Sequence, residues 1–490
     1  MTTKNVVSDI KKYHNVLFSA SITDKDKMTI TSIIALLIAS NYKKFETDYD
    51  TLLLNQVKTP SELIVEIAEE YLLTLGLETK FQNKVIKLWN NVKLVSSLNT
   101  LKKDESKINI IRIIESFITS VMPHIKTTDK QETMDFLGQM FAEINGRGAK
   151  GKTGIVLTPY FIADFMTDLL ELNYKEDVLL DGACGTGSFL VTAYIKMAIQ
   201  LEDDKENLTS AEYKLYSDRL VTSALYGNDL DEQMAILVLT NFTLLGLDIS
   251  NISNNDFFLL DGDYFTNNNI NKGILNPPFE YKPEDFAKHM LERIKNNDSD
   301  KPKKFVMIAP PQSMGKNAKT LEQILTIATL TAVIDVQDNA FIESNISYGT
   351  SIFLFDLSKA QTAEDKVLYY DFTDSGYEYF KDSGLVDKYS TFDSKKKAAI
   401  SMLENPSIFD KPSTRTWTTF FDIPDVNNFE INIDPIEVKM KNVEETDLTK
   451  ANQEIKKILS EKKELIDSVN NKIPATPEFI DYLVDVLSEV

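Results

Sequence analysis

Apolar residues recur at helical spacing through the first 125 positions. Leu52-Leu53-Leu54, then Leu63-Ile64-Val65 with Ile67-Ala68, then Val85-Ile86 with Leu88-Trp89 each supply an apolar stripe, and Ile108 to Val121 reads as one amphipathic helix. Beyond about residue 126 the pattern changes. Short apolar runs now stop at an acid, a glycine or an asparagine. Val178-Leu179-Leu180 stops at Asp181, Ala224-Leu225-Tyr226 leads to Gly227-Asn228-Asp229, Leu259-Leu260 meets Asp261-Gly262-Asp263, and Gly273-Ile274-Leu275 meets Asn276. Each predicts a strand that delivers a loop. Phe189 to Ile199 and Met234 to Leu245 predict helices between them. Strand and helix in alternation predict an α/β fold with a mainly parallel sheet.

The pattern changes again near residue 385. Ser394 to Leu403 predicts a helix with a basic start, Lys395-Lys396-Lys397, and a proline-containing stretch follows from Asn405 to Pro424. From Leu448 apolar residues fall at Ala451, Ile455, Ile458, Leu459, Leu465, Ile466, Val469 and Ile473, close to a heptad seam interrupted by Lys462. Pro474 and Pro477 end it, and Phe479 to Leu487 predicts a last helix. The expected organisation is a helical N-terminal domain over 1–125, an α/β domain over 126–385 that carries the candidate chemistry, and a C-terminal region over 386–490 whose helical tail packs onto its own domain or pairs with another subunit.

Glycine turns and acids place candidate chemistry on this frame. Strand, then Asp181-Gly182-Ala183-Cys184-Gly185-Thr186-Gly187, then helix is the nucleotide-binding opening of a doubly wound sheet. The spacing is neither G-x-G-x-x-G nor G-x-x-x-x-G-K-[ST], and no lysine follows to meet a phosphate. Asp181 suits a cationic ligand better, and Asp229 at the next strand end suits ribose hydroxyls. The second centre is Asn276-Pro277-Pro278-Phe279. Two prolines make the turn rigid. The Asn276 carboxamide and the Pro277 carbonyl can accept both hydrogens of an exocyclic amine, and Phe279 offers a face on which a planar base can stack. That combination suits methylation of an amino group on a flipped nucleobase.

These residues resemble the gamma-type amino-methyltransferases of DNA, and most of all the modification (methylase) subunit of type I restriction-modification systems. The resemblance spans about residues 130–380. Gly154-Ile155-Val156-Leu157-Thr158-Pro159 with Ile162-Ala163-Asp164-Phe165-Met166 is similar to that family's Thr-Pro motif, and Asp181 to Phe189 to its S-adenosylmethionine loop. The family usually carries proline where Gly182 stands. Phe305 to Pro311 is similar to its strand-and-proline segment, Ala332 to Asp335 with Phe341 and then Gly349 to Ile352 to its closing strands, and Tyr369-Tyr370-Asp371-Phe372, followed by Asp374-Ser375-Gly376-Tyr377, to the type I subunit specifically.

The resemblance implies a Rossmann-like S-adenosylmethionine-dependent core. The donor would be held by Thr158, Asp181, Gly182, Ala183, Cys184, Gly185, Thr186, Gly187, Asp229 and Asp263, with Asp263 facing its adenine amine. Asn276, Pro277, Pro278 and Phe279 would form the catalytic turn, and Phe341 is a further candidate for stacking. The motif order implies N6-adenine rather than N4-cytosine as the target. Double-stranded DNA and a specificity subunit are the implied partners, and the resemblance leaves room for a restriction subunit. Two rival readings stay open: a self-contained DNA, RNA or protein amino-methyltransferase, and a scaffold that binds donor or DNA without transferring anything.

Composition narrows these choices. At 490 residues and 43% apolar content the chain reads as globular with more than one domain. Met28 to Ser40 is too short and interrupted to span a bilayer. A single cysteine, Cys184, permits no intramolecular disulfide and fits a reducing cytoplasm; it reads as a small packing residue. His14, His124 and His289 are scattered, so no His/Cys metal centre is expected. With 53 basic against 74 acidic residues the net charge is −21. Duplex DNA binding draws on phosphate neutralisation, so much of the DNA contact should come from a partner. Two local basic clusters, Arg147 with Lys150 and Lys152, and Lys301 with Lys303 and Lys304, are candidates for a phosphate track or for plain solvated loops.

Overall fold

The computed structural model describes residues 3–55, 58–103, 105–125, 137, 140, 158–297, 300–313, 318–344, 349–362, 365–380, 384–404 and 418–422. Residues Met1–Phe429 form one compact unit and Glu430–Val490 a second. The heptad-like tail, Arg147, Lys150 and Lys152 lie outside the described residues.

The N-terminal region is helical, as the periodicity predicts. It contains α1 (Thr3–Ser19), α2 (Asp24–Asn55), α3 (Pro60–Leu72), α4 (Thr79–Lys93) and α5 (Asn109–Ser120). Thr59 and Glu62 form a reciprocal capping box at the start of α3, with Pro60 in the first turn. Tyr13, Leu17, Ile33, Ile64, Trp89 and Phe117 are buried among these helices. Among the described residues no helix is long and apolar enough to cross a membrane.

The remainder is a mixed α/β layer structure. Its strands are β1 (Leu179–Asp181), β2 (Leu225–Asn228), β3 (Ile252–Ser253), β4 (Lys272–Leu275), β5 (Lys304–Ala309), β6 (Thr329–Val336), β7 (Thr350–Asp356), β8 (Lys366–Phe372) and β11 (Thr418–Asp422). They form one sheet in the order β11-β8-β6-β7-β5-β4-β1-β2-β3. β1 pairs in parallel with both β2 and β4, β4 with β5, and β2 with β3. β7 runs antiparallel between β5 and β6. Two further strands, β9 (Tyr377–Phe380) and β10 (Gly384–Asp387), make a separate hairpin. The central strands β1 and β4 are buried throughout, as strands covered by helices on both faces must be.

One expected strand is a different element. Leu259-Leu260 before Asp261 reads as a third strand end, but β3 lies earlier and is two residues long. Residues Phe257–Leu259 instead make one 3₁₀ turn, begun by the Asp256 carboxylate accepting the Phe258 N–H at 3.0 Å. Asp261 then caps the short helix Gly262–Asn267 through the Tyr264 N–H at 3.0 Å. Asx side chains that bond the backbone two or three residues on divert an apolar run from a strand into a turn.

The helix after the Thr-Pro pair, Tyr160–Leu169, and the helix Phe392–Glu404 are joined by buried charge. Asp164, 3% exposed, meets Lys396 and, at 2.7 Å, Lys196. Asp168 lies 2.5 Å from Lys196 and 2.8 Å from Lys396. Burial alone would lower the Lys396 ammonium, but Asp164 and Asp168 hold it above its usual value. Lys396 is therefore a tie to the catalytic layer rather than part of an open basic face. Losing one partner of such a cluster leaves buried charge uncompensated. Asp164→Leu should cost about 3–5 kcal/mol of folding stability, measured by urea unfolding. A loss below about 1 kcal/mol would mean that the cluster holds nothing.

Candidate active site

Strand register brings the two candidate centres together. Asp181 at the end of β1 lies beside Ile274 of β4 on one side and Gly227 of β2 on the other. The glycine loop therefore leaves the sheet next to Leu275-Asn276, and Asp229 emerges two residues beyond the partner of Asp181. Strand order reverses between β1 and β4, and open sheets bind ligands at the carboxyl edge of such a reversal. A cavity opens there, lined by Thr158, Ala183, Cys184, Gly185, Thr186, Ser188, Phe189 and Asn276.

Hydrogen bonds from neighbouring strand ends hold the glycine loop. Gly185 N–H donates to one Asp229 oxygen at 2.8 Å, and Asp231 N–H donates to the other at 2.8 Å. Cys184 N–H donates to the Asn228 carbonyl at 2.9 Å. The Asn228 side chain, fully buried, spans the loop and the end of β3. Its amide donates to the carbonyls of Gly182 and Asn255, and its oxygen accepts from Ser253 Oγ and Asn255 N–H. From the helix Glu232–Leu245, Asn241 donates to the Thr186 carbonyl at 2.7 Å.

Two glycines of the loop are required by what packs on them. Gly187 has φ +81°, and a Cβ there would meet Val238 Cγ2 at 2.6 Å. A Cβ at Gly182 would lie 2.3 Å from Phe257 Cε2. The Phe257 ring is in turn stacked on Phe286, 5.5 Å away at 5°. The position where the family usually carries proline is thus occupied in this chain by a ring from the loop after β3.

The loop is rich in acid and poor in compensation. Asp181 is fully buried; one oxygen accepts the Ala183 N–H at 3.2 Å, and the other has no hydrogen-bond partner. Burial raises its carboxyl well above the usual range, and the Asp229 charge raises it further. Burial pushes Asp229 up to about 6, against the N–H groups of Asp231 and Gly185. A cation arriving here relieves both carboxyls, and Asp229 can still accept from hydroxyls. S-adenosylmethionine carries both kinds of group, so these residues fit it. Burial also raises the Cys184 thiol, as do Asp229 and Asp181, which leaves it protonated and a packing residue rather than a nucleophile.

The first residue of the Asn-Pro-Pro-Phe turn, Asn276, lines the same cavity. Asn276 Nδ2 donates to Thr158 Oγ1 at 2.9 Å. That bond orients the carboxamide and leaves its oxygen buried without a partner. Pro277 is buried, and Phe279 is half-buried beside Phe341. Phe341 is 2% exposed and meets Phe279 edge-on, 6.0 Å away at 84°, so in this conformation it supports the Phe279 ring from within the core.

Two sets of predicted residues stand apart. Asp263 is exposed in the first turn of the helix Gly262–Asn267; like Asp181, Gly182, Gly187, Asp229, Pro277, Pro278 and Phe279, it is not among the residues lining the cavity. The acid nearest the carboxyl end of β3 is Asp256. Lys301, Lys303 and Lys304 sit at the amino end of β5, the opposite edge of the sheet. Lys301 donates to the Glu176 carbonyl at 2.5 Å, Lys303 to the carbonyls of Lys295 and Asn297, and Lys304 pairs with Glu171 at 2.6 Å. They tie loops together there and do not line a phosphate track beside the cavity. Asn228, Asn241, Val238 and Phe257 were not singled out in the sequence. The Asn-rich run from Asn251 to Asp256 is the signal that marks this edge.

Residues 132–318 match the family model described as N-6 DNA Methylase. The chain is 28% identical over 284 residues to the type II restriction enzyme and methyltransferase RM.BcgI of Heyndrickxia coagulans, covering 56% of this chain and 42% of that protein. It is 23% identical over 435 residues to the methylase subunit of the type I restriction enzyme MjaVII of Methanocaldococcus jannaschii, covering 80% of this chain and 70% of that one. The chain thus spans less than half the length of the first of these relatives. Its fold is that of a modification subunit assigned to a type I restriction enzyme of Vibrio vulnificus, with TM-score 0.55, 16% identity, and coverage of 88% of this chain and 99% of that one. The type I methyltransferase subunit of Streptococcus thermophilus gives TM-score 0.50 at 16% identity, covering 83% and 94%.

The Gly182–Phe257 contact has a direct test. Gly182→Ala should lower thermal stability and weaken donor binding, and Phe257→Leu in the same chain should recover part of both. No recovery would show that the ring is not what excludes a side chain. The position of the Asp229 carboxyl near 6 sets a pH dependence. Affinity for S-adenosylmethionine, followed by calorimetry, should fall as pH drops through about 6, because the protonated acid loses its charge-assisted acceptor role. Stability of the ligand-free protein should move the other way. The folded value lies above the unfolded one, so the unfolded chain releases its proton first and stability falls as pH rises from about 4 to about 6. Asp229→Asn should remove the step in affinity, and a step retained in that variant would assign it to another group.

Proposed function

We propose that this chain is the methyltransferase subunit of a site-specific DNA adenine-N6 methyltransferase, acting with a DNA-specificity subunit in a restriction-modification complex. The observation that carries the proposal is the Asn276 carboxamide. It is held by Thr158 at 2.9 Å, with its oxygen buried and unpartnered in a cavity shared with the glycine loop. A buried acceptor left empty costs free energy unless a substrate donor fills it. An exocyclic amine supplies that donor.

S-adenosylmethionine, when bound, supplies the methyl group as an electrophilic sulfonium. Thr158, Asp181, the loop from Gly182 to Gly187, and Asp229 would hold it, with Asp263 the remaining residue that the family resemblance assigns. Asn276 Oδ1 and the Pro277 carbonyl accept the two amine hydrogens, which turns the nitrogen lone pair toward the loop. Phe279 takes the face of the flipped adenine, and Pro278 keeps the turn rigid. Positioning and desolvation carry the rate, so no covalent intermediate with the protein is required.

The partner is argued from charge and from relatives. A net charge of −21 opposes tight binding of duplex DNA by this chain alone. The relative from Methanocaldococcus jannaschii is itself a methylase subunit. The segment after Leu448, whose apolar spacing is close to a heptad seam, is the one we assign to subunit contact.

The test is transfer from methyl-labelled S-adenosylmethionine to adenine-containing duplex DNA, with and without the specificity subunit, read as N6-methyladenine by mass spectrometry of the nucleosides. Asn276→Ala should reduce transfer by about 10²-fold or more, the scale of losing one preorganised polar contact at a reacting group. Donor affinity should change by less than about twofold, since the carboxamide oxygen faces the base side. Full activity in Asn276→Ala would overturn the assignment.

A further inference from the structure

Helix α4 of the N-terminal region reaches the back of the donor-binding edge. Lys84 Nζ donates to Asn254 Oδ1 at 2.5 Å and lies 3.6 Å from Glu232 Oε1. Glu78, immediately before the same helix, accepts from Asn255 Nδ2 at 3.5 Å. Asn254 is 4% exposed, and its amide nitrogen donates to the carbonyls of Asp229 at 2.8 Å and Leu230 at 3.0 Å. An ammonium group only donates, so Lys84 requires the Asn254 oxygen to face it, and the amide hydrogens must then face the two carbonyls. The lysine and the two carbonyls together hold in one orientation a carboxamide that clamps the backbone of Asp229.

A second route runs in parallel. Helix α2 packs along the helix Glu232–Leu245. That helix touches the glycine loop through Val238 on Gly187 and Asn241 on the Thr186 carbonyl.

We propose that Lys84 and Asn254 are positioning residues through which the helical N-terminal region sets the donor-binding edge at Asp229. The proposal rests on the reading of Asp229 as a donor-binding residue. Neither side chain touches donor or base; both act through the backbone of residues 229–230.

The experiment measures S-adenosylmethionine affinity and steady-state methylation in the full chain with its specificity subunit. The variants are Lys84→Met, Lys84→Arg, Asn254→Asp and Asp229→Ala, with Lys80→Met, exposed on the same helix, as control. Lys84→Met should raise both Kd and KM for the donor by about fivefold or more, within the range of ordinary site-to-site coupling, and leave kcat within twofold. Lys84→Arg should recover most of the affinity and Lys80→Met should change nothing. Asn254→Asp keeps an acceptor for Lys84 but removes both amide donors, so it should weaken binding at least as much. Adding Lys84→Met to it should cost less than the two separate losses combined, because the two side chains act in series. Donor affinity within twofold of wild type in folded Lys84→Met, or loss of kcat with KM unchanged, would overturn the inference while leaving the donor site standing. Undiminished affinity in Asp229→Ala would overturn the reading of the donor site, and this inference with it.

Discussion

The site depends on the parallel pairing of β1 with β4. Neither strand exceeds four residues, and neither carries a reacting group within the sheet. Their register nevertheless fixes where two distant segments of sequence emerge, Asp181 beside Ile274, with the glycine loop one residue beyond and Asn276 two. A slip of one residue would turn each strand's side chains to the opposite face. Both faces of these strands are covered, so that slip would press each side chain into packing shaped for its neighbour. Hydrophobic burial in the middle of the sheet thereby sets the spacing of polar groups at its edge.

Polar order at that edge is kept largely by carboxamides. Asn228 joins the glycine loop to the segment after β3, Asn241 joins it to the neighbouring helix, Asn254 holds the backbone at Asp229, and Asn276 bonds Thr158. An amide can donate and accept at once without carrying charge. Lysines in these places would neutralise Asp181 and Asp229, and carboxylates would add repulsion. Neutral connectors leave both acids raised and one Asp181 oxygen unpartnered, which is the electrostatic state that a cationic ligand relieves.

Much of this was legible in the chain. Helical periodicity located the N-terminal helices and the helix Glu232–Leu245. Apolar runs stopped by Asp181, Asp229 and Asn276 located β1, β2 and β4. The wall formed by Thr158, the glycine loop and Asn276 follows from recognising three short motifs. The failures have two physical causes, local side-chain bonds and contacts between distant segments. Phe257 to Leu260 has the composition of a strand, but Asp256 and Asp261 redirect it through local side-chain-to-backbone bonds that no apolar pattern encodes. Lys301, Lys303 and Lys304 look like an open basic patch until the fold places carbonyls and Glu171 against them. The bond from Lys84 to Asn254 joins residues 170 positions apart. Neither residue type is unusual where it stands, so nothing in the sequence distinguishes them.

The ring of Phe257 in the space a side chain at Gly182 would need couples two positions far apart in the sequence. A Cβ at 182 would fall 2.3 Å from the ring, so the ring must shift before any side chain fits there. The ring is itself packed on Phe286, and its shift would pass to the helix Pro283–Lys295. A change in the glycine loop would therefore be felt by a helix that lines no part of the cavity.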